Sequence, residues 1–385
     1  MSALEFLRAE LAQWESDGLG RRLRLVDSAQ GREITIHGRR ALNFCSNNYL
    51  ALADHPALSH AAAAALREWG LGAGASRLIV GNQRIHEQVE SELAELLAAE
   101  AALLFNSGYH ANLGVIPALL SRQDVVFSDE LNHASLIDGC RLSRAQVVVY
   151  RHCDMDDLSR RMTQHRGRRR LIVTDAVFSM DGDRAPLGSL STLANEHGAV
   201  LMVDEAHSVG IFGDRGQGLC TELGVHPHIR MATLGKSLGG FGAFVAGCNS
   251  LREYLVNRSR TFVFTTALPS VVVAAAGAAA RLIRGQEGAE RRARLHARID
   301  QFAQGLHTLG MLEPGAGTTP IFPVVIGDND RTMECCERLL EAGIYVQGIR
   351  PPTVPVDTSR LRFALMADHT EEDVDRVLDA LHTTK

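Results

Sequence analysis

The chain has 385 residues, of which 45% are hydrophobic and 22% are charged, and its formal net charge is −5. This length exceeds one ordinary hydrophobic core, so we expect a large domain with a smaller one attached. The acidic balance argues against a nucleic-acid partner, because binding to a phosphate backbone needs an excess of basic residues.

The start of the chain, the cysteines and the apolar runs predict a cytoplasmic protein without a membrane segment. The first ten residues include acidic ones and lack the apolar core of a signal peptide. The seven cysteines are scattered, odd in number and without a CxxC pair, which suits a reducing compartment. The longest apolar stretch, near residues 271–280, is too short to span a bilayer, and we expect a buried helix there.

The first 42 residues are predicted to form a helix at 3–14 and short strands around 32–42. Further along, short apolar runs alternate with helices such as 87–99 and 187–197. The runs lie at 102–105, 125–127, 147–150, 171–174, 200–203, 231–234 and 243–246. Continuous apolar runs separated by helices are typical of strands buried on both faces of a mainly parallel sheet. The pattern therefore predicts an α/β fold with a seven-stranded sheet.

After residue 283 the pattern changes to an Arg-rich helix at 289–309, followed by a strand, a helix, two strands and a last helix. This order predicts a small α/β domain that closes over the first. The predicted organisation is an N-terminal segment at 1–42, a large domain at 43–283 and a small C-terminal domain at 284–385.

Four of the predicted strands end in polar or flexible residues. Asn106, Asp175, Asp204 and the pair Gly235 and Lys236 each follow an apolar run directly. In open α/β sheets, ligands bind beyond the carboxyl ends of the strands. We therefore expect the chemistry of this chain to gather at that edge.

Lysine use points to Lys236. Of the 40 basic residues, 38 are arginine, and the two lysines are Lys236 and Lys385, which is the last residue. A lysine amine can lose its proton and act as a nucleophile, whereas a guanidinium stays protonated. Codon bias is the alternative explanation. The position of Lys236 after an apolar strand and before Gly239 predicts an amine in a desolvated pocket.

The run 204–207, with the sequence DEAH, also matches a motif of nucleotide-driven helicases. Those enzymes need an earlier GxxxxGK[ST] loop to hold phosphates. The GK[ST] sequence of this chain, at 235–237, follows the DEAH run, and Arg230 stands where the first glycine belongs. Together with the acidic charge, this argues against a nucleoside triphosphatase.

A Schiff base between Lys236 and pyridoxal 5′-phosphate (PLP) fits these residues better. Asp204 could keep a pyridine nitrogen protonated, and the amides of residues 106–112 together with the Thr233 hydroxyl could bind a phosphate. His133 could stack on a planar ring. Each feature also has a structural explanation: a helix cap for Asp204, a turn for 106–112, and ordinary packing for Thr233 and His133.

The chain also resembles the α-oxoamine synthases, which are fold type I PLP enzymes. These acyltransferases condense an amino acid with an acyl thioester and release carbon dioxide. The resemblance runs almost end to end and rests on residues 43–52, 72–82, 105–112, 129–139, 174–183, 203–213, 233–240, 261–269 and 348–355.

Within this family, the run 349–355, with the sequence IRPPTVP, resembles the members that join L-alanine to a pimeloyl thioester in biotin biosynthesis. The acyl donor would be pimeloyl-CoA or pimeloyl-acyl carrier protein. Ala73 and Ala75 depart from the common glycine-rich loop, and Glu205 with Ser208 also occurs in serine-using relatives. A glycine or serine acyltransferase therefore remains the alternative, with a plain aminotransferase and a non-catalytic binding protein as more distant ones.

The resemblance assigns catalytic and cofactor-binding roles. Lys236 would carry the cofactor and move the α-proton, His133 would stack on the ring, and Asp204 would pair with the ring nitrogen. The remaining cofactor contacts would be His207 and Ser179 at the ring oxygen, Gly108, Tyr109 and Thr233 at the phosphate, and Thr265 or Thr266 at the phosphate of a neighbouring subunit. The shared site implies a homodimer.

The resemblance also assigns substrate contacts. Asn47 and Arg362 would bind the amino acid carboxylate, a task that suits a bidentate guanidinium. Arg21 and Thr353 would lie on the thioester side, and His133 would contact the substrate as well as the cofactor. No metal ion is expected.

Overall fold

The computed structural model describes residues 4–313 and 315–384. Contacts between residues divide the chain into two compact units. The first unit comprises Met1–Ser46, Met180–Gly182 and Leu295–Lys385, and the second comprises Asn47–Ser179 and Asp183–Arg294. The bounds predicted from the sequence, at 42/43 and 283/284, stay a prediction.

The described residues form strands of two to seven residues. In chain order they are β1 Glu33–Ile36, β2 Arg39–Asn43, β3 Ala101–Phe105, β4 Val125–Asp129, β5 Gln146–Tyr150, β6 Arg170–Asp175, β7 Val200–Asp204, β8 Ile229–Thr233, β9 Ala243–Gly247, β10 Ile321–Gly327, β11 Ile344–Tyr345, β12 Gln347–Ile349 and β13 Ser359–Ala364.

The α-helices alternate with these strands. They are α1 Phe6–Ser16, α2 Pro56–Trp69, α3 Arg84–Leu96, α4 Gly108–Leu119, α5 Ala134–Ser143, α6 Met155–Gln164, α7 Leu187–Glu196, α8 Leu219–Glu222, α9 Asn249–Arg258, α10 Arg260–Val263, α11 Ser270–Arg284, α12 Gln286–Thr308, α13 Asn329–Glu341 and α14 Glu371–Thr384. The predicted N-terminal helix is present as α1, and its predicted first residue, Ala3, lies outside the described residues. The apolar run 271–280 forms part of α11, as expected.

The second unit is built on a seven-stranded sheet with the strand order β3-β9-β8-β7-β6-β4-β5. The ladders from β8 through β5 are parallel, and β9 pairs antiparallel with both β8 and β3. Every predicted apolar run falls on one of these strands, so the mainly parallel α/β sheet is confirmed. The reason is burial: β3 and β4 are buried along their whole length, which requires apolar side chains on both faces.

The parallel strands bring their carboxyl ends to one edge of this sheet. Asp175 ends β6 and Asp204 ends β7, and the two residues are paired in register. Thr233 ends the neighbouring strand β8, three residues before Lys236. The residues predicted to carry chemistry therefore meet at this edge because of strand order, although they are far apart in sequence.

The first unit contains two three-stranded sheets. One has the order β1-β2-β11 and the other the order β10-β13-β12, in which both ladders are antiparallel. His369 lies in the core of this unit: its ring stacks on Phe44 with centroids 4.2 Å apart. Its Nε2 lies 3.1 Å from the Asn43 carbonyl oxygen, and its Nδ1 accepts from the Met366 amide at 3.1 Å. Both ring nitrogens are thus satisfied with a neutral imidazole.

His369 makes stability pH-dependent. Burial lowers the pKa of His369 to about 3, against an unfolded value of about 6.5. Between these two pH values the unfolded chain binds a proton that the folded chain does not. The stability that His369 contributes is therefore present above pH 6.5 and is lost as the pH falls toward 3.

We expect His369→Gln to flatten the dependence of the unfolding free energy on pH between about 6.5 and 4 in urea titrations. His382→Gln, at an exposed position of α14, should leave it unchanged. Equal slopes in all three proteins would contradict this assignment.

In the part of the chain that the structure describes, no helix combines the length and the apolar character that a membrane crossing requires.

Candidate active site

Lys236 lies in a chain of hydrogen bonds within the second unit. Its Nζ is 2.8 Å from Nε2 of His207, and Nδ1 of His207 is 2.7 Å from the hydroxyl of Tyr49. The Tyr49 hydroxyl donates its proton to Oδ1 of Asn47 at 3.0 Å. Its oxygen must then accept from Nδ1–H of His207, which leaves Nε2 as an acceptor for the lysine amine. The arrangement directs Nε2 of His207 at the Lys236 amine.

Asp204 is buried, and both of its oxygens are held by donors. Oδ1 accepts from the Ala206 amide at 2.9 Å, and Oδ2 accepts from Nδ2 of Asn112 at 2.9 Å. A buried carboxylate is costly unless its oxygens accept hydrogen bonds. These bonds fix the Asp204 carboxylate at the carboxyl edge of β7.

His133 is the N-cap residue of α5, and it is held by two groups. Its backbone amide donates to Oδ2 of Asp175 at 2.7 Å, and its Nδ1 lies 2.7 Å from the Ser135 hydroxyl. Burial lowers the pKa of His133; the charge of Asp204 opposes the shift and the charge of Lys236 adds to it. The imidazole, Asp204 and Lys236 are therefore close enough to act on one another.

The start of α4 lies against Thr233. A Cβ atom added at Gly108 would come within 2.8 Å of Cγ2 of Thr233, so glycine permits the close approach. Oγ1 of Thr233 is buried and has no hydrogen-bond partner within the described residues. The first amides of a helix also lack acceptors within the helix. Together the Thr233 hydroxyl and the first amides of α4 offer hydrogen-bond donors to an anion, and their role as a phosphate site stays a prediction.

The other predicted cofactor contacts lie around this edge. The Tyr109 hydroxyl donates to Asp138 of α5, and Ser179 follows β6. Thr265 and Thr266 lie between α10 and α11, and the Thr266 carbonyl oxygen accepts from Nδ2 of Asn106 at 3.0 Å. Their predicted reach to a neighbouring subunit stays a prediction.

Three predicted substrate contacts belong to the first unit. Arg21 and Thr353 line one cavity of about 620 Å³, together with Arg24 and Arg350. The Arg350 guanidinium donates to the carbonyl oxygens of Gly18 and Gly20, just before Arg21. Arg362 is a buried residue of β13. The cavity thus brings together Arg21 and Thr353, which are far apart in sequence, among several guanidinium groups.

Three residues of the site escaped the sequence analysis: Tyr49, Asn112 and Ser135. Asp175 was found as a strand-end residue but was given no role; burial together with the Asp204 charge raises its pKa. Tyr49, Asn112 and Ser135 carry no such signal, since a single polar residue in a loop or helix usually caps or packs.

Tyr49 gives a first test of this geometry. Tyr49→Phe removes the acceptor for Nδ1–H of His207 and leaves a buried donor unpaired, so we expect about a 10-fold fall in kcat/KM. Steady-state kinetics would measure the effect. The matched control is Tyr150→Phe, a similarly buried tyrosine at the end of β5, which should keep normal kinetics. Equal kinetics for the two variants would contradict the role of Tyr49.

Comparisons with known proteins define the class. Residues 39–381 match the family described as "Aminotransferase class I and II". A serine palmitoyltransferase variant from S. paucimobilis, solved with a bound PLP–myriocin aldimine, has a TM-score of 0.93 and 30% identity, covering 100% of this chain and 98% of that one. With the strand order and the lysine at the carboxyl edge, this establishes a fold type I PLP-dependent enzyme.

More similar sequences narrow the family. An 8-amino-7-oxononanoate synthase from Geobacter sulfurreducens is 50% identical over 378 residues, covering 97% of this chain and 96% of the relative. One from Anaeromyxobacter dehalogenans is 49% identical over 381 residues, covering 98% and 95%. The solved 8-amino-7-oxononanoate synthase from Francisella tularensis has a TM-score of 0.77 and 28% identity, covering 89% of this chain and 97% of that one. This chain belongs to the 8-amino-7-oxononanoate synthase family, which are acyltransferases.

The residues present fit PLP. The Thr233 hydroxyl, which lacks a hydrogen-bond partner among the described residues, and the close approach at Gly108 suit its phosphate. The buried Asp204 carboxylate suits a protonated ring nitrogen. Lys236 offers an amine for its aldehyde. These residues provide an anion site, a negative charge and a nucleophile, which correspond to the phosphate, the ring nitrogen and the aldehyde of PLP.

Proposed function

We propose that this enzyme condenses L-alanine with a pimeloyl thioester, releasing carbon dioxide and a free thiol and forming 8-amino-7-oxononanoate for biotin biosynthesis. The observation that carries the proposal is that about half of the residues are identical, over nearly the full length, to those of 8-amino-7-oxononanoate synthases. The run 349–355, at which the sequence resembled the alanine-using members, adds support.

When bound, PLP supplies an electron sink for negative charge on the carbon atom beside the substrate nitrogen. We propose that Lys236 would hold the cofactor and that its free amine would move the α-proton of the substrate. Nε2 of His207 accepts from this amine at 2.8 Å and so directs it. Asp204 would keep the ring nitrogen protonated, and His133 would stack on the ring. Gly108, Tyr109 and Thr233 would bind the phosphate, and Ser179 with His207 would contact the ring oxygen.

For the substrates, we propose that Asn47 and Arg362 bind the carboxylate of alanine. Arg21 and Thr353 would face the acyl thioester, in the cavity of the first unit that they line with Arg24 and Arg350. The guanidinium groups there suit an anionic substrate such as a pimeloyl chain with its terminal carboxylate, or the phosphates of its carrier.

A substrate matrix tests the proposal. Purified enzyme would be assayed with alanine, glycine and serine, each against pimeloyl-CoA, pimeloyl-acyl carrier protein and palmitoyl-CoA, by carbon dioxide release and product mass. We expect the highest kcat/KM for alanine with a pimeloyl donor. A preference for glycine or serine would replace this reaction with that of another α-oxoamine synthase, and a ketoacid product without carbon dioxide would indicate an aminotransferase.

We further propose a cytoplasmic homodimer in which Thr265 or Thr266 reaches the partner's phosphate site. Support comes from apolar side chains exposed on the second unit, at Leu78, Ile79, Val80, Phe241 and Phe264. An exposed apolar surface of this kind is typical of an interface between subunits.

The seven cysteines are unpaired, which suits the reducing cytoplasm. Light scattering would give the mass, and mixing Lys236→Ala with Thr265→Ala/Thr266→Ala subunits should restore activity if the sites are shared.

A further inference from the structure

Two donors converge on one nitrogen of the His133 ring. The Ser135 amide donates to Nδ1 at 3.2 Å, and the Ser135 hydroxyl oxygen lies 2.7 Å from the same atom. A backbone N–H is always a donor, so Nδ1 must offer its lone pair to it. A proton on Nδ1 would face that amide hydrogen, and the tautomer with the proton on Nε2 avoids this conflict.

Asn112 fixes the direction of the second bond. Its Nδ2 lies 2.9 Å from Oδ2 of Asp204 and 2.9 Å from the Ser135 hydroxyl oxygen. A carboxylate accepts only, so the atom beside Asp204 must be the amide nitrogen and not the amide oxygen. The second hydrogen on this nitrogen then points at Ser135. Because the Ser135 oxygen already accepts this bond, its own proton is free to donate to Nδ1 of His133.

These contacts are shielded from water. Asn112 and Ser135 are buried, with 0% and 1% of their surface exposed, and Asp204 is 3% exposed. Hydrogen bonds in such surroundings are stronger than in water, and a mismatched donor pair would be costly. The three bonds therefore form a directional chain from the Asp204 carboxylate through Asn112 and Ser135 to the imidazole.

We infer that Asn112 and Ser135 are positioning residues that place the single proton of the His133 imidazole on Nε2. This inference rests on the proposed role of His133 at the cofactor and deepens it. The ring then stacks as a neutral aromatic group, and Nε2–H becomes a hydrogen-bond donor for a substrate oxygen. Asp204 then has an effect beyond its charge. It orients the side-chain amide of Asn112, and that amide orients the Ser135 hydroxyl.

The net effect of the groups around His133 is to favour its neutral form. Burial lowers the pKa of the imidazole, and Lys236 adds to this, while Asp204 opposes it. Asp175 holds the backbone amide of His133 at 2.7 Å, and burial raises the pKa of that carboxyl. The two donors on Nδ1 lower the pKa of the imidazole further, since they stabilise its neutral form.

Nitrogen NMR of the holoenzyme with ¹⁵N-labelled histidine tests the inference, with His133→Asn used to assign the signal. We expect the wild-type ring to show a protonated Nε2 and an unprotonated Nδ1. In Ser135→Ala the backbone amide of residue 135 still donates to Nδ1, so the signals should move only part of the way toward the average of the two tautomers. The pH at which the ring becomes charged should rise by roughly 0.5–1 unit, the value of the one hydrogen bond that is lost. Ser135→Thr keeps the hydroxyl and should restore the wild-type spectrum.

Ser143→Ala is the matched control, because Ser143 is a buried serine of the same helix whose hydroxyl donates to the Cys140 carbonyl oxygen at 2.6 Å. It should leave the His133 signals unchanged. Asn112→Ala should move them in the same direction as Ser135→Ala. A proton on Nδ1 in the wild type, or an unchanged tautomer in Ser135→Ala, would overturn the inference. The readout needs no substrate, so a different preferred amino acid or thioester in the activity assay would leave it standing.

Discussion

Lys236→Arg is expected to abolish covalent attachment of PLP and to lower turnover by at least about 10³-fold. Arginine keeps the positive charge and can still donate to Nε2 of His207, so the surroundings should change little. A guanidinium stays protonated and cannot attack an aldehyde. Visible spectra before and after borohydride reduction, with mass spectrometry of the labelled peptide, would measure the loss.

The chain provides its own control for this experiment. The one other lysine is Lys385, the last residue. Lys385→Arg should keep the spectrum, the label at position 236 and normal turnover. A label at Lys385 alone, or a Lys236→Arg enzyme with an unchanged visible band and normal rates, would refute the assignment of Lys236.

Asp204→Asn is expected to retain the cofactor but lose at least about 10²-fold in kcat, by analogy with the removal of one charge-stabilising group. The amide oxygen can still accept from Ala206, but the negative charge opposite the ring nitrogen disappears. The new amide group would also face Nδ2 of Asn112, where two donors repel. Stopped-flow spectra and single-turnover rates would separate cofactor retention from the chemical step.

Asp175→Asn is the matched control, since Asp175 ends the adjacent strand in register with Asp204. Burial and the Asp204 charge raise the pKa of Asp175, and the amide oxygen of an asparagine can still accept from the His133 amide. We expect its kcat to stay well above that of Asp204→Asn. A lower kcat for Asp175→Asn than for Asp204→Asn would indicate that Asp175, not Asp204, pairs with the ring nitrogen.

Glu205 shows how differently sequence and structure can treat one residue. In the sequence Glu205 stands beside Asp204, and together with Ser208 it resembles the serine-using relatives. In the structure it is fully buried, and its carboxylate binds the Arg230 side chain on β8, with Nε of Arg230 donating at 2.5 Å. It also accepts from the Cys220 amide at 3.0 Å. Its surroundings are those of a buried ion pair, which gives it a structural role whichever amino acid is the substrate.

The amino-acid sequence alone determined the seven strands of the sheet, and it singled out Lys236 and the carboxyl edge of the sheet as the predicted site. Buried parallel strands need apolar residues on both faces, and this produces runs that stand out in a sequence. The single internal lysine among 38 arginines stood out in the same way.

Only the tertiary structure decided which polar side chains hold the site in place. Asn112 and Asp204 are 92 positions apart, and Tyr49 and His207 are 158 apart. Their hydrogen bonds exist because the strand order brings these segments together, and no local periodicity marks a single Asn or Tyr as a partner. Hydrogen-bond direction, and with it the tautomers of His133 and His207, depends on distances of about 3 Å that folding alone creates.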